Sequence, residues 1–162
     1  MKKLFLSILF AIITFGYAFA EESAPSLEYV MELRVKCDPA FEVGNAVHGK
    51  RVIIPIIGGE FSGPNISGTV LAGGADYQMI NEVQGHTDLE AIYTIRTDDG
   101  VNIHIRNCGI LISGAGKEFY FRTAPKFEAP YDSRYAWLND AIFVCVPGFG
   151  DGYISLKVWK VE

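Results

Sequence analysis

No stretch of this sequence clusters lysine and arginine, and the chain is acidic overall, with 14 basic side chains against 19 carboxylates and a net charge of −5. That pattern excludes a nucleic-acid partner, because counterion release needs grouped cations. Histidine is scarce, and His48, His86 and His104 stand at no metal-ligand spacing from one another or from a cysteine. No metal site is expected. Cysteine is also limited to Cys37, Cys108 and Cys145, without a Cys-x-x-Cys pair. These read as buried small hydrophobes, although an oxidising compartment would let one pair close. There is no Gly-x-Ser-x-Gly elbow and no Walker lysine, so nucleophile-elbow and phosphate-loop chemistries fall away and no cofactor is expected. Nor does any segment sustain a helical period, which leaves strands.

What is present begins with an export signal over residues 1–20. Lys2 and Lys3 precede an apolar run from Leu4 to Tyr17, and Ala18-Phe19-Ala20 supplies the small residues that signal peptidase accepts. The run is shorter than the roughly 18 residues that a bilayer span needs. Cleavage before Glu21 removes two lysines and no acid, moving the net charge from −5 to −7. The expected product is a soluble periplasmic or secreted protein with no membrane attachment. Residues 21–26 form a short polar leader, and residues 27–162 are long enough for one domain with one core.

Leu27 to Cys37 alternates, with Leu27, Tyr29, Met31, Leu33, Val35 and Cys37 set against Glu28, Glu32, Arg34 and Lys36, as a half-buried strand should. After a turn at Gly44 to Gly49, Arg51 to Ile57 is β-branched, with Pro55 marking an edge or bulge. Gly58-Gly59 and Gly73-Gly74 bracket short strands around Phe61, Ile66 to Leu71 and Tyr77 to Ile80. Further strands fall at Leu89 to Thr97, Val101 to Leu111, Glu118 to Thr123, Ala141 to Val146 and Tyr153 to Val161, and Tyr135 to Asp140 fits a single helical turn. About nine or ten short strands without crossover helices predict an all-β fold, a barrel or a sandwich. Closure removes exposed edges, which favours a single antiparallel barrel.

Asp98-Asp99-Gly100 makes a hairpin between two of these strands. A three-residue loop places Tyr93, Ile95, Thr97, Val101, Ile103 and Ile105 on one face, with Glu90, Ile92, Thr94, Arg96, Asn102, His104 and Arg106 on the other. The two-residue alternative mixes isoleucine with charge, so burial favours the first register. Its polar face meets either solvent or a wet cavity.

Several ordered phrases resemble the domain-of-unknown-function 3237 family. They are Gly44 with Gly49-Lys50-Arg51, Gly58-Gly59-Glu60-Phe61-Ser62-Gly63, Gly68, Gly73-Gly74-Ala75-Asp76, Tyr93-Thr94 leading to Thr97-Asp98-Asp99-Gly100, Tyr120-Phe121-Arg122-Thr123 and Tyr135-Ala136-Trp137-Leu138-Asn139. The resemblance runs from about Leu27 to the C-terminus. It implies a calycin-like or lipocalin-like barrel, with a cyclisation or isomerisation role suggested for some relatives. The family pattern carries an Asp and an Arg where this chain has Glu90 and Ile92, so an acid is kept and a guanidinium lost.

A barrel of this kind suits a small, partly apolar organic molecule as partner. Arg96, His104, Arg122, Tyr135, Trp137 and Asn139 are the candidate ligand-binding residues, the last three either over the mouth or packed as a plug. Asp76 and Glu90 are candidate acid and base if the protein is an enzyme of proton transfer such as isomerisation, cyclisation or hydration, because paired carboxylates in an apolar cavity have their pKa values pushed apart. Asp76 could instead cap the Gly73-Gly74 turn. A homodimer through a strand edge is the remaining partner expectation.

Overall fold

The computed structural model describes residues 24–114 and 116–162, so the export signal lies outside the described residues. Ten strands form one antiparallel sheet: β1 Leu27–Cys37, β2 Phe41–Ala46, β3 Gly49–Ser62, β4 Ser67–Val70, β5 Gly74–Asn81, β6 His86–Thr97, β7 Asn102–Ile112, β8 Tyr120–Glu128, β9 Phe143–Phe149 and β10 Ile154–Val161. The sheet closes because β1 pairs with β10 along one edge and with β3 along the other. Around the ring, β2 takes over from β1 against the first half of β3, and β4 and β5 together fill the gap between β3 and β6. The result is a closed antiparallel barrel of eight strand positions.

The hairpin takes the three-residue loop. The Thr97 N–H donates to the Val101 carbonyl at 2.9 Å, and Gly100 sits at φ +89°, in the left-handed region that favours glycine. Ile95, Ile103 and Ile105 are accordingly buried inside, while Arg96 and Arg106 face out.

Two boundaries differ from the sequence reading. A register shift between Tyr29 and Met31 turns the start of β1 over, so Leu27 and Tyr29 are exposed while Met31, Leu33 and Val35 face inward; one extra residue in a strand reverses the faces on either side of it. The segment expected to be a turn at Gly44 to Gly49 is largely strand β2, with the turn confined to Val47 and His48 and a register irregularity around Gly44.

One end of the barrel is filled. Met31, Leu33, Ile95, Ile103, Ile105 and Val158 pack there, and Phe143 meets Phe127 edge-on at 4.9 Å. A 3₁₀ turn over Ala136–Asp140 plugs this end by burying Leu138, with Tyr135 enclosed beside it. Side-chain hydrogen bonds fix the plug. Asn139 exchanges two with the backbone of Ala129, at 2.8 and 2.9 Å, and the Tyr135 hydroxyl donates to Asp99 at 3.0 Å. Phe143→Ala should therefore lose roughly 3–5 kcal/mol of unfolding free energy, the range for truncating a buried aromatic ring. Urea denaturation checks it, and a loss below about 1 kcal/mol would mean the plugged end collapses onto the missing ring.

Candidate functional site

The other end of the barrel is hollow. A cavity of ≈ 180 Å³ is walled by inward side chains from β1, β3 and β5 to β10. Most of its lining is apolar, including Val35, Ile56, Leu89, Leu111, Phe121 and Leu156. Alternation along each strand accounts for this, since every second residue points inward. The same alternation carries Asp76, Gln78, Tyr93, Asn107 and Thr123 into the cavity.

Among the described residues, three buried side-chain atoms hydrogen-bond to no protein group, and all three line this cavity: Asp76 Oδ1, Asn107 Oδ1 and Thr123 Oγ1. Buried polar groups are normally satisfied, because leaving one unpaired costs about 1–3 kcal/mol. The strand register shows how they share one wall. Asp76 on β5 is paired with Ala91 on β6, and Ala91 with Asn107 on β7, so the small Ala91 lies between two polar groups. Thr123 on β8 pairs with Gly109, two residues along β7 from Asn107 on the same inner face. A methyl group added at Gly109 would lie 2.3 Å from Thr123 Cγ2, so glycine lets that side chain occupy the wall.

Titration in the cavity favours neutral forms. Burial raises the Asp76 carboxyl above its ordinary 3.8, opposed by the Gln78 amide, whose Nε2 donates to Asp76 Oδ2 at 2.7 Å, and by the Glu90 main-chain N–H. Burial likewise raises the Tyr93 phenol far above its usual value, with Cys145, Asp76 and Cys37 adding to the effect. The Cys145 thiol is pushed up to about 11 by burial, eased by the Thr123 hydroxyl beside it. Cys37 is raised by burial and then by Asp76 and Asp38. No Lys, Arg or His lines the cavity. An environment of this kind resists charge of either sign.

Of the candidate catalytic and ligand-binding residues read from the sequence, Asp76 alone lines the cavity. Glu90 is on the opposite face of the wall, accepting from Arg106 at 2.6 Å, so the two carboxylates are not an acid and base pair. Arg96 donates to Asn102 at 2.9 Å on the outer surface, and His104 stands 3.5 Å from Thr94 there. Arg122 also lies outside, donating to the Phe121 carbonyl and stacked over Tyr120 at 5.4 Å. Tyr135, Trp137 and Asn139 belong to the plug at the far end rather than to the mouth. Gln78, Tyr93, Asn107 and Thr123 were missed. Asn107 could have been found by continuing the inward series Ile103, Ile105, and Thr123 by the same rule from Phe121.

The fold and this site together define a hollow β-barrel, plugged at one end, whose interior carries unpaired polar atoms in an apolar shell. Residues 25–161 match the family model described as "Protein of unknown function (DUF3237)", and the chain belongs to that family. It is 36% identical to an uncharacterised UPF0311 protein of Clostridium acetobutylicum over 149 residues, which span 83% of this chain and 93% of the relative. A crystal structure of a β-barrel-like protein from Acinetobacter baumannii superposes with a TM-score of 0.79 at 27% identity, covering 88% of this chain and 99% of that one. A protein of Penicillium herquei named as a hydroalkoxylation enzyme is 25% identical over 156 residues, covering 94% of this chain and 93% of its own.

Because burial favours the neutral Asp76 carboxyl, its folded pKa lies above its unfolded one. Stability from this group is fully present below pH 3.8 and is lost as pH rises through the raised folded value. Asp76→Asn cannot ionise and escapes that loss. Its melting temperature relative to the parent should rise by a few degrees between pH 4 and pH 8. Parallel melting curves across that range would show that Asp76 titrates normally.

Proposed function

We propose that this protein binds a small, partly apolar organic molecule inside the hollow end of its barrel. The observation that carries the reading is the clustering of all three unpaired buried polar atoms in one apolar cavity. Ligand pockets combine such apolar walls with a few convergent polar groups that fix orientation. Asp76, Asn107 and Thr123 supply those groups, and Tyr93 lies beside them. Native mass spectrometry of protein purified from its own host should reveal a bound small molecule. Ala91→Leu, which pushes an isobutyl group into the space between Asp76 and Asn107, should reduce its occupancy at least tenfold while the melting temperature confirms a folded barrel. A folded variant that retains the molecule at full occupancy would place binding elsewhere.

We further propose that the chain is exported and acts in the periplasm or outside the cell, on the strength of the Lys2-Lys3 start, the apolar run and Ala18-Phe19-Ala20. Mass measurement of protein from a periplasmic fraction should give a chain beginning at Glu21. Full-length protein found in the cytoplasm would exclude this.

A second reading is favoured by the Penicillium relative, an enzyme by name. In it, the barrel carries out cofactor-free proton transfer on its ligand, with Asp76 as the proton-donating group. In isomerisation or cyclisation one proton is delivered to the substrate and one is recovered, so no oxidant or reductant is needed. Glu90 has no part in this scheme, since it faces away from the cavity. Conversion of the co-purified molecule by the parent protein, abolished in Asp76→Asn, would establish the enzyme; an unchanged ligand after incubation establishes the binder.

A further inference from the structure

The donors, acceptors and dimensions of the cavity restrict its ligand further, on the premise that the cavity binds small molecules at all. Size is the first constraint. A cavity of about 150 Å³ accepts benzene, and this one measures ≈ 180 Å³, so a single six-membered ring with a small substituent fills it.

Charge is the second constraint. No cationic side chain lines the cavity, and an anion moved there from water would exchange its hydration for apolar surface and lone pairs. Asp76, Cys37 and Tyr93, which line the cavity, are pushed toward their neutral forms by burial, and the same burial disfavours any other negative charge placed there. Carboxylates, phosphates and sulfates are excluded on this ground.

Hydrogen-bond sense is the third. The unpaired atoms are a carboxyl oxygen, an amide oxygen and a hydroxyl oxygen. Asn107 Oδ1 is an acceptor, and Thr123 Oγ1 both accepts and donates; in its neutral form the Asp76 carboxyl, whose Oδ2 accepts from Gln78, donates through Oδ1. The set therefore calls for a ligand group that both donates and accepts. A hydroxyl satisfies it best, since it gives its proton to Asn107 and accepts from Asp76 or Thr123. The position for that group is the notch left by Ala91, which stands between Asp76 and Asn107 in the ladder and carries only a methyl group.

We infer that the cavity is built for a neutral, single-ring compound bearing a hydroxyl group, a phenol or ring alcohol, with the hydroxyl seated over Ala91 between Asp76 and Asn107. Acids and hydrocarbons of the same shape are discriminated against for different reasons. The acid brings a charge that nothing offsets. The hydrocarbon leaves three buried oxygens unpaired, and sites built to receive a hydroxyl penalise its absence heavily.

Phenol, toluene and benzoate test this at pH 7, since they share one ring and differ in donor and charge. Each is titrated into the full mature chain and followed by amide chemical shifts of cavity-lining residues. Phenol should bind at least tenfold more tightly than toluene, and benzoate should produce no saturable shift. Asn107→Leu should bring phenol affinity down to that of toluene without weakening toluene. Thr123→Val, nearly isosteric, serves if that variant does not fold and should narrow the phenol preference in the same direction. Toluene binding as tightly as phenol, or benzoate more tightly, overturns the hydroxyl assignment and leaves the binding function standing. Failure of all three rings to bind overturns both.

Discussion

Strand β1 holds the ring shut. Its residues from Leu27 to Val35 lie in antiparallel register with β10, and those from Glu32 to Cys37 with β3, so one strand joins the end of the chain to its beginning. The inside of the barrel exists only because these ladders close. Once closed, alternation assigns every strand residue to the interior or to water. On the outer face of β6 and β7, Arg106 pairs with the Glu90 carboxylate and Arg96 donates to the Asn102 amide oxygen, and the inward positions must fill the lumen with whatever the sequence places there. Strand β2 shares only the ladder with β3 among the described residues, so the closed ring leaves one short stretch of main chain unlaced.

The lumen is filled unevenly. Near the plug, large side chains such as Met31, Ile95, Ile105, Leu138 and Phe143 interdigitate with almost no exposure. Toward the opposite end the inward positions hold smaller or polar residues, Ala91, Gly109, Asn107 and Thr123 among them. The cavity is thus a consequence of side-chain volume along the strands rather than of any loop. The polar groups inside it are held by regular ladder positions, which makes their spacing rigid. For the proposed binder, rigid placement would lower the entropy lost on binding a ligand, and the unpaired oxygens would contribute selectivity by gaining partners only from a suitable molecule.

Much of the barrel was legible from short-range patterns. The Asp98-Asp99-Gly100 loop and the alternation around it specify the hairpin register because one face is wholly apolar, and a slip of one residue would bury Arg96. The plug turn at Tyr135 to Asp140 was also readable, although its place at the bottom rather than the mouth was not. Site residues were harder for a physical reason. Asp76 and Glu90 are both acidic and both sit on strands, but which face each one takes depends on the register across β5, β6 and β7, a relation between distant segments. Glu90, Arg96, His104 and Arg106 share one polar face of the hairpin that the sequence left open between solvent and a wet cavity; the ladder turns that face outward. Asn107 and Thr123 carry no motif and no charge. Only their parity along strands already known to face inward marks them, and a polar residue at such a position is the sign of a site.

The join between β8 and β9 has a different character from the rest of the ring. Thr123 and Cys145 form the one ladder pair recorded there, whereas β6 and β7 are matched over eleven positions. Proline at 125 and 147 removes an amide donor from each strand. Toward the open end the two strands are bridged instead by rings, with Phe121 and Phe149 6.2 Å apart. Side chains can slide and rotate where a hydrogen-bonded ladder would have to break, so this seam is the most easily parted join of the ring. Widening there would break fewer main-chain bonds than at any other junction among the described residues, so for the proposed binder the resting cavity volume is a lower bound on the guest.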